Sequence, residues 1–508
     1  MKKKTIFIVT VIFILFACQN ESLINIEDGS NDNDPFVDYV VVENYGELPI
    51  DALVKDGRRP IPISAINGTG YDDLLFYTQT GDDHEVWEKD NIWRKDAWAR
   101  VEQIRKGDFT VIVKDKNGNA IPDAEVIANM YEHEWKWGTA LNGNVVDSDT
   151  TAYRTRYRAA ASLLYNTGVL ENGHKWNYYE TDTARTRSQV NAAKDLGIKY
   201  MRGHTLIWDR SFSDGWVSNN NIPQRIYDLF MADDKAGLDT QIKNHFLRIT
   251  GTGLNGYRGQ VYVWDVANEV LDNHAMRTKY GNGVLKDWFE WAREGAGPDT
   301  LLFINETCIT GDPGRRQRTD NFRAVLDWMV DNGVDFDGIG LQSHFDDTVL
   351  AGSEFYAVLE ELAGAYNKYI EITEFDRRVP GRPRDNPDPG TYNAEYEAGF
   401  TRDIIIAAFS HPKVIGFTMW GFASQGHWFE NGPIFDFNWV LKESGKQYID
   451  LVYNKWRTRE SGSSGSDGSY GFRGFYGDYD ITVSHDGKTK TIQSHFYKDR
   501  DNTITVTF

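Results

Sequence analysis

VYVWDVANEVLD occupies residues 261–272. Val261 to Asp265 read as a buried strand, and Asn268 and Glu269 then stand side by side where that strand should end. A carboxylate beside an amide at a strand terminus is either an ordinary turn or part of an active site. YIEITEFD, residues 369–376, poses the same alternative at Glu374.

Outward from these two stretches, the chain repeats one rhythm from Glu134 onward. Short apolar runs end in polar residues and are followed by helix-like stretches: WKWGTALN (135–142), TGVLEN (167–172), IKYMRGHTLIW (198–208), VYVWDVANE (261–269), LLFINE (301–306), GIGLQSH (338–344), YIEITEFD (369–376) and VIGFTMWGF (414–422). Helical patterns such as TARTRSQVNAAKDLG and RRQRTDNFRAVLDWMVDNG lie between them, the second closing on Gly333 as a C-cap. Strands alternating with helices predict βαβ units. Eight such units predict an α/β fold, a (β/α)8 TIM barrel over residues 134–457.

The flanks read differently. At 508 residues the chain is long enough for two or three domains. Residues 1–17 have a basic start and an apolar run too short to span a membrane comfortably, the pattern of a signal peptide. LFAC resembles a bacterial lipoprotein cleavage box, with Cys18 as the lipidated residue; the alternative is an ordinary signal peptide and a chance cysteine. Residues 18–36 are polar and acidic, as a flexible tether would be. Residues 37–133 are expected as an N-terminal β-rich region, a carbohydrate-binding or scaffold module, with KDAWARVEQIRKGD as a short helix and FTVIVKDKNGNAIPDAEVIANMYEH as a hairpin-rich β module around the turn signal DKNGNAIP. Residues 458–469 carry a Gly/Ser linker signal, and 470–508 read as a C-terminal β segment able to complete a sheet with residues 109–133.

A formal net charge of −20 disfavours nucleic acid and polyanionic partners. Aromatic residues make up 14% of the chain, with 16 Trp and 26 Tyr, which suits either large cores or the stacking of sugar rings. Cys308 is the only cysteine besides Cys18, so no disulfide within the mature chain is expected, and no zinc-like spacing of Cys and His occurs. Neither cofactor nor metal is expected.

In such a barrel the strand ends build the active site, and strands four and seven face one another across it. Glu269 closes strand four and Glu374 lies near the end of strand seven, so two carboxyl groups are expected to converge on one cleft. That is the equipment of glycosidic bond cleavage: one carboxylic acid to protonate the leaving oxygen, one carboxylate to attack the anomeric carbon. Asn268 is placed to bond a sugar 2-hydroxyl, and Gln342 and His344 from strand six are placed to keep the nucleophile ionised.

The sequence resembles glycoside hydrolase family 10, the endo-β-1,4-xylanase family, over about residues 100–455. WDVANE matches the family's acid/base motif at Glu269, and ITEFD its nucleophile motif at Glu374. ENGHKW implies that Glu171, Asn172 and Lys175 bind sugars distal to the cut bond. RGHTLIW implies His204 and Trp208 in the sugar pocket, GIGLQSH supplies Gln342 and His344, and MWGF with HW supplies Trp420 and Trp428 as stacking platforms. One departure stands out. Asp209 follows Trp208 where the family usually carries His, and it is expected to add negative charge near Glu269.

The resemblance implies a retaining, endo-acting hydrolase of internal β-1,4-xylosidic linkages that takes xylan or xylo-oligosaccharides as substrate. It is expected as a monomer, membrane-attached only through a lipid anchor at Cys18, on the surface or periplasmic side of a bacterial outer membrane. Two alternatives stay open: a non-catalytic glycan-binding lipoprotein, and a hydrolase of the same fold acting on another β-glycan.

Overall fold

Each apolar run expected as a barrel strand is one. The computed structural model describes residues 84–146, 152–209, 221–309, 316–345, 350–377, 394–428 and 432–508. The strands are Lys136–Leu141, Thr167–Leu170, Tyr200–Gly203, Val261–Asn268, Leu301–Glu306, Gly338–Leu341, Tyr369–Arg377 and Val414–Met419, and we number them one to eight. Every neighbouring pair is parallel, and strand eight closes the ring against strand one through Gly416↔Lys136 to Met419↔Thr139. The molecule contains a closed (β/α)8 barrel, with extra β segments at either end.

The helices between strands end where local chemistry predicts. Asp182 accepts the Arg185 N–H at 2.9 Å at the head of helix Thr183–Asp195, satisfying one of the orphan donors of its first turn. Helix Arg316–Asp331 stops at Gly333, whose φ of +64° a side chain would resist.

Parallel barrels put the two ends of every strand in different surroundings. The inner wall here is strongly charged for a core: Arg202, Asp265 and Glu371 are all fully buried. Arg202 makes a bidentate pair with Asp265 and lies 3.4 Å from Glu371, which in turn accepts the Tyr262 hydroxyl at 2.6 Å. Burial pushes the Glu371 carboxyl up, against the pull of Arg202. Isolated, any of these charges would be costly to bury; together they offset one another's charge beneath the strand ends that carry the site.

The flanking β segments form a single sandwich. One sheet orders Ser469–Phe475, Lys106–Lys114 and Thr503–Thr507; the other orders Arg459–Ser463, Glu125–His133, Gly477–His485 and Lys488–Phe496. Their inner faces meet around Phe109, stacked on Phe496 at 4.2 Å and edge-on to Phe472 at 5.3 Å. Helix His84–Ile104 leads into it, longer than the short helix expected, and Arg105 then ties the module to the barrel by donating to the carbonyls of Phe409, His411 and Val414, each at 2.8 Å.

Two expectations are corrected here. Residues 106–114 and 125–133 do not pair as a hairpin. The turn is present, with Asp115 Oδ1 accepting the N–H groups of Asn117 and Asn119, but the chain crosses to the opposite sheet after Ala120. Strands from the C-terminal segment take both places: 469–475 beside 106–114, and 477–485 beside 125–133. Nor are residues 458–469 a linker. Arg459–Ser463 pairs with 125–129, and Ser464 is buried, accepting the Ala124 N–H at 2.9 Å and donating to the Ile121 carbonyl at 2.7 Å. The small residues serve close packing, since a side chain at Gly462 would meet the Tyr470 ring at 2.3 Å. Residues 1–17, the tether 18–36 with Cys18, and residues 37–83 lie outside the described residues.

Candidate active site

Strand four ends in a turn that reverses at Glu269. Its φ of +54° is left-handed, and the N–H is fixed to the Asn305 carbonyl at 2.8 Å. The carboxyl is then gripped from two sides: Gln342 Nε2 donates to Oε1 at 3.1 Å, and Asn273 Nδ2 donates to Oε2 at 2.9 Å.

Glu374, 4% exposed, is held by three neighbours. Asn305 Nδ2 donates to Oε1 at 2.7 Å, His344 Nε2 donates to Oε2 at 3.2 Å, and His204 Nδ1 lies 3.9 Å from Oε1. Burial alone would raise this carboxyl. The His204 ring, then the hydrogen bond and charge of His344, then the amide of Asn305 outweigh it and bring the pKa down to about 2. The group is therefore ionised across the working range of most enzymes.

His344 is the counterpart. Burial pulls its proton affinity down, but the charge and hydrogen bond of Asp376, followed by those of Glu374, lift the pKa to about 10. As an imidazolium it donates from both nitrogens, through Nδ1 to Asp376 Oδ1 at 2.8 Å and through Nε2 to Glu374. The parallel register sets this up, pairing Asp376 with His344.

A chain of amides connects the two carboxyl groups. Glu374 Oε1 accepts a hydrogen bond from Asn305 Nδ2, which also donates to Asn268 Oδ1 at 2.9 Å; Gln342 Nε2 donates to the same Asn268 oxygen at 3.3 Å and to Glu269. Asn268 Nδ2 is buried without a hydrogen-bond partner among the described residues, which leaves it a donor available to a ligand. Glu269, Glu374, Asn268, Gln342, His344 and His204 thus belong to one cluster, and Trp420 packs edge-on to His204 at 5.1 Å.

The remaining candidates surround it. Trp208 lies 6.3 Å from His204 by ring centroids, Lys175 Nζ sits over the Trp208 ring 5.3 Å from its centroid, and Lys175 donates to Asn172 Oδ1 at 2.9 Å. Glu171 lines a groove with Asn142, Tyr153, Trp420 and Trp428. Trp428 is 53% exposed, edge-on to His344 at 4.8 Å, with its Nε1–H donated to Asp376. It is a rim residue rather than a core one.

Asp209 differs from expectation. Its carboxylate accepts the Met276 N–H at 2.9 Å, tying the end of the strand-three loop to the segment behind Glu269. Burial raises its pKa to about 7, against the lowering by that hydrogen bond and by Arg277, so it is a poorer source of negative charge than a solvated aspartate. Residues assigned no role in the site from sequence are Asn305, Asn273, Asp265 and Asp376. Asp265 had a legible signal, a charge inside a dense apolar strand. Asn305 had almost none.

A family model described as Glycosyl hydrolase family 10 matches residues 127–450. This chain belongs to glycosyl hydrolase family 10. Among family 10 relatives and other matches, the Anti-sigma-I factor RsgI6 of Acetivibrio thermocellus is 29% identical over 407 residues, 78% of this chain and 47% of that protein. Endo-1,4-beta-xylanase 3 of Arabidopsis thaliana is 26% identical over 377 residues, 72% of this chain and 44% of that one. The chain spans about half the length of these two curated relatives. The native xylanase 10B from Thermotoga maritima shares the fold, with a TM-score of 0.51 and 23% identity over 63% of this chain and 95% of that one.

Proposed function

We propose that this family 10 chain is an endo-acting hydrolase of β-1,4-xylan working by double displacement with retention. The observation that carries the reading is the pairing of an ionised Glu374 with Glu269 across one hydrogen-bonded amide chain at the ends of strands seven and four.

In the first half-reaction Glu374 attacks the anomeric carbon, the glycosidic C–O bond breaks, and the proton of Glu269 passes to the leaving oxygen. A glycosyl ester of Glu374 results. Its negative charge is gone, so Glu269 becomes the stronger base and takes a proton from water as the water oxygen displaces Glu374 from the same carbon. Two inversions give retention, for which carboxyl groups about 5–5.5 Å apart are required. Asn268 serves the 2-hydroxyl, Glu171, Asn172 and Lys175 hold the sugars distal to the cut, and Trp208, Trp420 and Trp428 offer ring faces to them. The anchor expected at Cys18 would hold the enzyme at the membrane surface, where labelling by a palmitate analogue that Cys18→Ser abolishes would test it.

The test of function is product analysis on plain xylan, arabinoxylan, glucuronoxylan and mixed-linkage glucan, beside Glu374→Ala. Mixed-length xylo-oligomers appearing early support internal cutting; release of only monomer or dimer contradicts it. One observation favours a second reading: the Acetivibrio relative is named as an anti-sigma factor, not as an enzyme. A barrel that only binds glycan would leave xylan uncut while retaining affinity for it, and the same assay separates the two.

A further inference from the structure

The turn after strand four carries more than Glu269. The Glu269 carbonyl accepts the N–H groups of Asn273 at 2.8 Å and Asp272 at 3.2 Å, which folds residue 273 back beside residue 269. The Asn273 side chain then reaches Glu269 Oε2 at 2.9 Å, opposite the Gln342 amide on Oε1. Each oxygen of the carboxyl meets a neutral amide, one from strand six and one from its own turn.

Resting on the reading of Glu269 as acid and base, we propose that Asn273 is a positioning residue for proton transfer, its amide turning over to follow the proton. When Glu269 is ionised, Nδ2–H donates to it; when Glu269 is protonated, Oδ1 accepts from it. An amide offers both a donor and an acceptor at the end of one short, uncharged side chain. An aspartate in its place would suit the protonated acid and oppose the base, and an apolar residue would serve neither.

The charged groups around the turn set the background on which this acts. Fully buried Glu306, from strand five, accepts the Leu271 N–H at 3.0 Å, and burial first, then the nearby charge of Glu269, raise its own pKa to about 7. Arg318, from helix Arg316–Asp331, joins Glu306 to Asp272, and Arg277 donates to the Val270 carbonyl at 2.6 Å. Asp209 holds Met276 from the strand-three side, and Glu374, His344 and His204 lie across the amide chain.

The experiment is the pH dependence of kcat/KM for the full-length chain on unactivated xylohexaose, with Asn273→Asp, Asn273→Leu and Glu269→Gln. A second carboxyl beside Glu269 raises its proton affinity, so Asn273→Asp should move the alkaline limb up by on the order of one pH unit. Asn273→Leu, which removes a donor to the ionised form, should move it in the same direction by less. It should also lower kcat about tenfold with KM little changed. In whichever variant folds, a limb that coincides with that of the parent overturns the inference, however far kcat falls. Full activity in Glu269→Gln would instead overturn the acid/base reading on which it rests.

Discussion

Asn305 Nδ2 lies 2.7 Å from Glu374 Oε1 and uses its second proton on Asn268, the residue next to Glu269. Its own carbonyl is held by the Thr373 hydroxyl at 2.7 Å, so the amide cannot turn without losing three bonds. The register places it there, pairing Asn305 with Asn268 across strands five and four. Asn305→Ala should lower kcat/KM by about 10–100-fold and shift the acid limb to higher pH, because Glu374 loses a donor that favours its ionised form. Steady-state profiles check this; an acid limb in its original place contradicts it.

His344 should set the same limb more strongly. Its imidazolium, with a pKa of about 10, is part of what holds Glu374 at about 2. Replacing it by Asn leaves a neutral group facing Glu374, so the Glu374 pKa rises and, on the role of nucleophile proposed for it, activity fails at a higher pH than in the parent. The stability sign is opposite at the other end: a histidine with a raised folded pKa stabilises below about pH 6.5, and the contribution is lost as pH climbs toward 10. Melting curves of His344→Asn should therefore converge on those of the parent in alkali.

The barrel and the two glutamates were legible because each depends on short-range pattern. Every strand is a dense apolar run, and Glu269 and Glu374 stand at the ends of such runs. What sequence could not supply was pairing over distance. Asn305 is an ordinary asparagine until strands four and seven bring Asn268 and Glu374 to it. The Gly/Ser run at 458–469 has a composition shared by loose linkers and by backbone packed under an aromatic ring. Gly462 against Tyr470 is the second case. The turn at 115–119 was read correctly, but a turn does not dictate a hairpin when better partners exist elsewhere in the chain.

Asp209 should make stability depend on pH. Its folded pKa of about 7 lies above the ordinary value of 3.8, so the folded state binds this proton more tightly. Stability is therefore lost as pH rises from about 4 to about 7, and the loss persists above that. Asp209→Asn keeps an oxygen for Met276 N–H and has no charge to bury. Relative to the parent, its melting temperature should rise steadily across this window, by the equivalent of on the order of 4 kcal/mol in stability. A constant difference between the two proteins would contradict the assignment.

The sandwich should be part of the barrel's stability. Phe475 of the sandwich, 3% exposed, packs against Phe409 of the barrel at 6.2 Å, and Phe409 in turn lies 4.2 Å from fully buried Trp456, which stacks on Trp137 of strand one at 5.6 Å. Trp456→Ala should cost about 3–5 kcal/mol in denaturant unfolding. Both modules should melt in one transition; a variant in which only the sandwich unfolds would show them to be independent.

The central claim is that Glu374 and Glu269 act on one acetal from opposite sides, the first as nucleophile. The most direct measurement is proton NMR of the anomer first released from a xylo-oligosaccharide, read before mutarotation. The account predicts the β anomer, the configuration of the bond that was cut. Release of the α anomer would mean a single displacement by water, and the roles given to both residues would be wrong.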